Sequence, residues 1–254
     1  MTRTEPLEVT NKFTRYLAAG RVASSPLVYF GGILLLYLLR FVPNIYLFKA
    51  DFYLFNHYAP ASFAKYSWQF VATIVRFVVV VDLTLYLIFL GTRFYNVSMA
   101  DIGWKKPGKY WRIPLAISAA IGLIIAKHLA YSLYYSGTWH LVFAASYLWS
   151  RLHNPMAYYW LFIVPLASVI EELFYRGLIY TLLQKKINWI LAVVVTSLLF
   201  TFSHTDGFVL VFNPWIFLAG LFYGLLRKWD DSIWVVVAAH FANNLVASWF
   251  VISP

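Results

Sequence analysis

Two adjacent glutamates and an arginine, Glu171, Glu172 and Arg176, lie within an apolar stretch long enough to cross a bilayer, and His204, His240 and Asn244 follow in later apolar stretches. A charge at the bilayer centre costs at least ~2.5 kcal/mol on insertion scales, so three such groups in six positions must be offset by pairing, hydration or chemistry. On a helix, residues four apart share a face, whereas adjacent residues point about 100° apart. Glu172 and Arg176 are therefore placed to pair, and Glu171 points elsewhere, free for other work. His240 and Asn244 repeat the four-residue spacing and offer a ring nitrogen and an amide on one face, while Phe200 stands one turn before His204. Polar groups from three helices are thus expected to converge on one cavity.

Such a set supports general acid–base hydrolysis. A carboxylate and a histidine hold and deprotonate a water, and a second histidine and an amide donate to the oxyanion that forms at an amide carbonyl. No serine or cysteine nucleophile is needed. The protein has no cysteine, which excludes disulfides, thiolate catalysis and cysteine-bound metal. Ser203 sits beside His204 but off its helical face, which makes it a poor nucleophile for that base. Glu171, His204 and His240 also form a two-histidine, one-carboxylate set that would suit catalytic zinc with an open position. The HExxH signature is absent, asparagine is a poor zinc ligand, and no second carboxylate is evident behind either histidine. Metal-free activation of water is therefore the expectation, with no cofactor, and zinc is the alternative. Read structurally, Glu172–Arg176 is a helix-locking ion pair and each histidine an interhelical hydrogen-bond partner. A transporter or proton relay could use the same groups, but the spans lack inverted repeats or paired Gly/Pro-broken helices.

The elements that must position these groups are membrane helices. The 254-residue protein is 62% hydrophobic, 20% aromatic and 12% charged, with a mean hydropathy of +0.69, against about 45–50% apolar and about 25% charged residues in soluble domains. Apolar segments at about 27–48, 70–94, 113–135, 158–183, 189–204, 214–226 and 233–252 predict an all-α, polytopic transmembrane bundle of about seven spans, six to eight in all, with the catalytic core in the last four. Several are shorter than the ~20 residues of a perpendicular crossing, and the one ending at His204 reads equally as a helix that stops inside the membrane around a wet cavity. Three parts are expected: a cytoplasmic tail over 1–26, front helices over 27–135, and a core with its preceding loop over 136–254. The first apolar run has basic residues before it but no small-residue cleavage site after it, so it reads as a retained helix rather than a signal peptide.

The net charge of +10 comes mostly from short segments between apolar runs, which favours anionic lipid headgroups over nucleic acid. Thirteen basic residues fall in the tail and in the turns at 93–112, 185–186 and 227–228, against Lys49, Lys65 and Arg151 on the other side. The positive-inside rule then puts the N-terminus in the cytoplasm and the C-terminus outside, in a multi-pass protein of the cell membrane. On that topology the polar groups lie from mid-membrane toward the outer face, and Asn96 of the Asn-Val-Ser sequon falls on the cytoplasmic side, where it is not glycosylated. Arg76, Asp82, Lys127 and His128 read as snorkelling, pairing or cavity-lining groups. Gly220 and Gly224 form a small-xxx-small pair that lets the sixth helix pack closely. The segment from Tyr135 to Met156 reads as interfacial, with an amphipathic lid as the alternative.

At its polar groups the sequence resembles the CPBP family, the CAAX prenyl proteases and bacteriocin-processing enzymes also called Abi proteins. Glu171-Glu172-Leu173-Phe174-Tyr175-Arg176 looks like the family's EExxxR, Phe200-Thr201-Phe202-Ser203-His204 like its FxxxH, and His240-Phe241-Ala242-Asn243-Asn244 like its HxxxN. The three motifs stand in the right order and cover about Tyr158 to Ile252, and the front half fits only as generic membrane helices. The resemblance implies an intramembrane glutamate-type endopeptidase. Glu171 and His204 would activate water, His240 and Asn244 would stabilise the oxyanion, and Glu172, Arg176 and Phe200 would support them. The family is also labelled metalloprotease, which keeps zinc on Glu171, His204 and His240 as the alternative. Prenyl-protease relatives are expected to work from the cytosolic side, whereas the charge count tilts this cavity outward. The expected substrate is therefore a small peptide or membrane protein that enters laterally from the bilayer. A prenyl-protein endopeptidase, or a bacteriocin self-immunity protein that binds without cutting, are the alternatives.

Overall fold

The computed structural model describes residues 25–58, 64–136, 166–204 and 212–247, and these are helical apart from the loop at 96–111 and short turns. Among the described residues, seven helices run in the order α1 (Pro26–Tyr58), α2 (Ala64–Tyr95), α3 (Arg112–Ser136), α4 (166–184), α5 (Trp189–Phe202), α6 (Pro214–Asp230) and α7 (Ile233–Ala247). The expected lid at 135–156 lies almost entirely outside the described residues, as do the start of the fourth expected span and the end of the seventh.

Among the described residues, three stretches are long and apolar enough to cross a membrane: Pro26–Pro43, Ile74–Tyr95 and Arg112–Tyr134. Their outward faces carry Leu34, Leu35, Leu38, Val75, Val78, Phe89, Leu115 and Leu133, all exposed. Apolar surface of that extent is stable against lipid rather than water. Helices α5 and α6 have 14 and 17 residues, short of the ~20 needed for a perpendicular crossing, and α7 is described over 15 residues.

The short helices are delimited by their own sequence. Asn188 caps α5 by accepting from the Leu191 amide at 2.9 Å. Asn213 caps α6 by accepting from the amides of Trp215 and Ile216, with Pro214 in the first turn, where its missing N–H is no loss. Helix α6 ends at Asp231, which adopts a left-handed conformation.

Helix α1 packs on α2, α5 on α6, and α3 along α7. The close contact of α5 and α6 is made by the expected glycines. A Cβ on Gly224 would fall 2.7 Å from Val193 Cγ1, and one on Gly220 would fall 3.0 Å from Ser197 Cβ. Helix α4 threads the centre, and its middle residues, Leu173–Ile179, form a π-helix in which every residue is buried.

The basic turns assemble at one end of the bundle. Arg227, nearly fully buried, donates to the Asp101 and Arg176 carbonyls and pairs with Asp231. Arg112 pairs with Asp230 at 2.9 Å, and Lys105 also pairs with Asp231. Gly103 has a positive φ of 85° and brings its carbonyl to the Ile233 amide at 2.9 Å. Only a residue without a Cβ lets the loop lie this tightly on the Arg227 guanidinium.

Candidate active site

The site lies in the half of the bundle away from that basic end. Glu171 and Glu172 enter from α4 just before the π-helix, His204 from the end of α5, and His240 and Asn244 from α7. A π-turn inserts an extra residue into the helical repeat, and such turns recur at functional sites. Here it begins one residue after the glutamate pair.

The two glutamates diverge as the helical angle requires. Glu172 is fully buried and its Oε1 lies 3.1 Å from Arg176 Nη1, which is the expected pairing. The same oxygen lies 2.7 Å from His240 Nδ1. The sequence reading that neither histidine has a carboxylate behind it is thus corrected. The partner comes from a helix 68 residues earlier, a separation that no local spacing reveals. Arg176 also donates to the Gly220 carbonyl at 3.0 Å, and its guanidinium lies 4.4 Å from the Phe200 ring centroid.

Glu171 faces both histidines. Its Oε2 lies 3.8 Å from His204 Nε2 and 3.9 Å from His240 Nε2. Those separations are too long for direct hydrogen bonds and suit one water bonded to the carboxylate and a ring nitrogen. Each imidazole is held by its other nitrogen. His204 Nδ1 lies 2.8 Å from the Phe200 carbonyl and His240 Nδ1 is on Glu172, so both Nε2 atoms face inward. Tyr223 stacks on the His240 ring at 4.8 Å, and Phe200 lies 4.4 Å from His204 and edge-on to His240 at 5.8 Å. Phe200 thus supports both histidines and the arginine.

Ser203 Oγ comes within 3.3 Å of His204 Nδ1, closer than its place off that helical face predicts. Its hydroxyl donates to the Phe200 carbonyl at 2.7 Å, and the nitrogen it approaches is the one turned away from Glu171.

A cavity of 230 Å³ opens onto His204, His240, Phe200, Tyr223, Asn243 and Asn244. Asn244 reaches back to Ser168 Oγ at 3.3 Å. Glu171 stands behind the histidines, about a quarter of its side chain exposed. The cavity's far wall comes from the front half of the sequence, through Leu123, Ile124 and Lys127 of α3, so Lys127 is cavity-lining as expected.

Arg40 escaped the sequence reading. It is buried in α1, its Nη2 stands 3.9 Å from Glu171 Oε1, and its Nη1 donates to Tyr175 Oη at 2.9 Å. Its guanidinium packs over the Phe174 and Tyr175 rings. The available signal was an arginine in the middle of an apolar span, the same criterion that singled out Glu171. Among the described residues, no three His, Asp or Glu side chains form a group arranged to hold a metal ion.

Residues 153–246 match the family model of the Rce1-like type II CAAX prenyl endopeptidases. The match spans Glu171, Glu172, Arg176, Phe200, His204, His240 and Asn244, and stops short of Arg40 and Lys127. Comparison with curated proteins and with solved structures gives no significant match.

Proposed function

We propose that this protein, which carries an Rce1-like domain of the CPBP family over residues 153–246, is an intramembrane endopeptidase that cuts a small peptide or membrane-associated protein with a water activated by Glu171 and His204. The observation that carries the reading is the Glu171 carboxylate set between two inward-facing Nε2 atoms at 3.8 and 3.9 Å.

In the proposed reaction a water between Glu171 and His204 attacks the scissile carbonyl carbon and gives up its proton to this pair. The C–O bond forms as the carbonyl π pair moves onto oxygen. His240, held at Nδ1 by Glu172, offers its Nε2 side to that oxyanion together with the Asn244 amide. Collapse of the tetrahedral intermediate breaks the C–N bond, and the stored proton passes to the leaving amine. Glu172, Arg176, Phe200 and Tyr223 hold the two imidazoles in place. Zinc on Glu171, His204 and His240 is the competing chemistry, because histidines that metals use also bond their second nitrogen to a carboxylate or carbonyl. With zinc bound, the metal would polarise the carbonyl and acidify the water.

We place the protein in the cell membrane as a multi-pass protein with a cytoplasmic N-terminus. The basic turns gathered around Arg227, Asp231 and Arg112 support that orientation. The cavity then lies in the outer half, which favours substrates reaching it through the bilayer over cytosolic prenylated tails.

The test is cleavage of a tagged peptide library by the purified, reconstituted protein beside Glu171→Gln and His204→Ala, with and without a strong chelator. Cleavage that is lost in both variants and survives chelation is the expected result. Loss on chelation would move Glu171, His204 and His240 to metal ligands, and full activity in Glu171→Gln would overturn the reading. A folded wild type that protects against a bacteriocin without cutting it would be an immunity protein.

A further inference from the structure

A second cavity lies at the basic end of the bundle, away from the catalytic groups. It is a groove of 440 Å³ lined by Trp104, Lys105, Lys106, Tyr110, Ile113 and Trp234, a volume within the roughly 300–1,000 Å³ of small-ligand pockets. Its walls are held in place by contacts of their own. Trp104 packs on Trp234 with ring centroids 4.7 Å apart, the Gly103 carbonyl accepts from the Ile233 amide at 2.9 Å, and Ser232 donates its hydroxyl to the Lys105 carbonyl at 2.8 Å. The loop at 96–111 is thereby pinned to the first turn of α7, and the groove is preformed.

The groove sits where the protein leaves the bilayer. The apolar stretch Arg112–Tyr134 of α3 begins at its edge, with Ile113 in its wall and Leu115 exposed just beyond. Trp104, Tyr110, Trp111 and Trp229 are exposed at the same end, and such amphipathic rings settle at the level of lipid headgroups.

Charge selects the headgroup. The acidic residues nearby are already engaged: Asp230 with Arg112 and the Gly108 amide, Asp231 with Arg227 and Lys105, and Asp101 with Ser98. Lys105 shares its charge with Asp231, whereas Lys106 is exposed and has no ion pair among the described residues. Two indoles and a phenol would also suit the quaternary ammonium of a choline, but the two lysine ammonium groups beside them repel a cation. A phosphate is attracted by both.

We propose that this groove seats the headgroup of an anionic phospholipid, with its phosphate on Lys106 and Lys105 and its acyl chains running along α3 past Leu115. The occupant is a lipid rather than a free phosphate because the apolar surface of Ile113 and Leu115 leads from the groove into the hydrocarbon layer. The inference does not depend on the proposed reaction.

Native mass spectrometry of the full-length protein, released from detergent micelles, measures the affinity of the first bound lipid. Dioleoyl phosphatidylglycerol is expected to bind about tenfold more tightly than dioleoyl phosphatidylcholine. Lys106→Gln should lose about fivefold of the phosphatidylglycerol affinity, the usual contribution of one basic residue near a lipid surface, and Lys106→Arg should retain it. Lys109→Gln removes the same charge from the same loop at an exposed residue outside the groove wall, and its affinity should stay within about twofold of wild type. Equal affinities for the two lipids, or equal losses in Lys106→Gln and Lys109→Gln, would overturn the proposal, the latter by assigning the attraction to diffuse charge. Hexaglutamate is the remaining probe. Its binding in a Lys106-dependent manner by a protein indifferent to phosphatidylglycerol would overturn the lipid and assign the groove to an acidic protein segment.

Discussion

His240 Nδ1 lies 2.7 Å from Glu172 Oε1, and the same oxygen holds Arg176 Nη1 at 3.1 Å. One buried carboxylate therefore joins α4 to α7 and fixes which nitrogen of His240 faces Glu171. Glu172→Gln should lower kcat roughly 10–100-fold, the usual cost of losing such an orienting partner, with KM little changed. Glu172→Ala should in addition destabilise the protein by ~3–5 kcal/mol, because it leaves the buried Arg176 without its counter-charge. Steady-state kinetics and thermal unfolding of the two variants check this, and an unimpaired kcat in Glu172→Gln would deny the carboxylate any part in orienting His240.

Glu171 and His204 should behave differently. Glu171 is partly exposed and its contacts with Arg40, His204 and His240 are all 3.8–3.9 Å long, so Glu171→Gln should fold normally and lose about 10²–10⁴-fold in kcat/KM. His204→Ala should match it within about tenfold if the two act on one water, and the double variant should be little worse than either. Multiplicative losses in the double variant would show that the residues work independently.

Arg40 is predicted to position Glu171 from outside the motif-bearing half. Arg40→Met should reduce kcat about tenfold or more with KM within about threefold, since it holds the carboxylate rather than the substrate. Arg40→Lys, which keeps the charge but not the two-armed contact with Tyr175 and Glu171, should recover only part of the loss. A change confined to KM would place Arg40 in the substrate path instead.

Close packing of α5 and α6 predicts an overpacking penalty. Gly224→Ala should cost ~1–3 kcal/mol, because its Cβ would meet Val193 at 2.7 Å. The companion change Val193→Ala should recover part of that cost, which thermal unfolding of single and double variants measures.

At the basic end, burial works to raise the Asp231 carboxyl, but hydrogen bonds from Lys105 and Arg227 outweigh it and hold the group below the usual 3.8. A carboxylate with a lowered folded value stabilises fully above the unfolded value and loses that contribution as pH falls through the folded one. Asp231→Asn should therefore lower the melting temperature above pH 4 and bring it level with wild type as the pH drops well below 3.8. Melting curves between pH 6 and pH 2.5 provide the check, and a constant gap across that range would assign the effect to packing.

Glu171, His204, His240 and Asn244 could be picked out from the sequence alone, because charge and polarity inside apolar runs are costly enough to stand out. Local spacing also settled the pairing of Glu172 with Arg176 and marked Gly220 and Gly224 as a small-residue pair on one helical face, whereas the Val193 and Ser197 contacts they make belong to a different helix. The helical class followed from the length of the apolar runs. The remaining relationships reach across the fold. The Glu172 bond to His240, the approach of Arg40 to Glu171 and the shared cavity of Lys127 and His240 join residues 68, 131 and 113 positions apart, and no helical period carries information over such distances. Tertiary packing decided them, because a buried charge takes whichever partner the neighbouring helices bring within a few ångströms, and which helices are neighbours is set by the packing of whole faces rather than by the spacing of any motif.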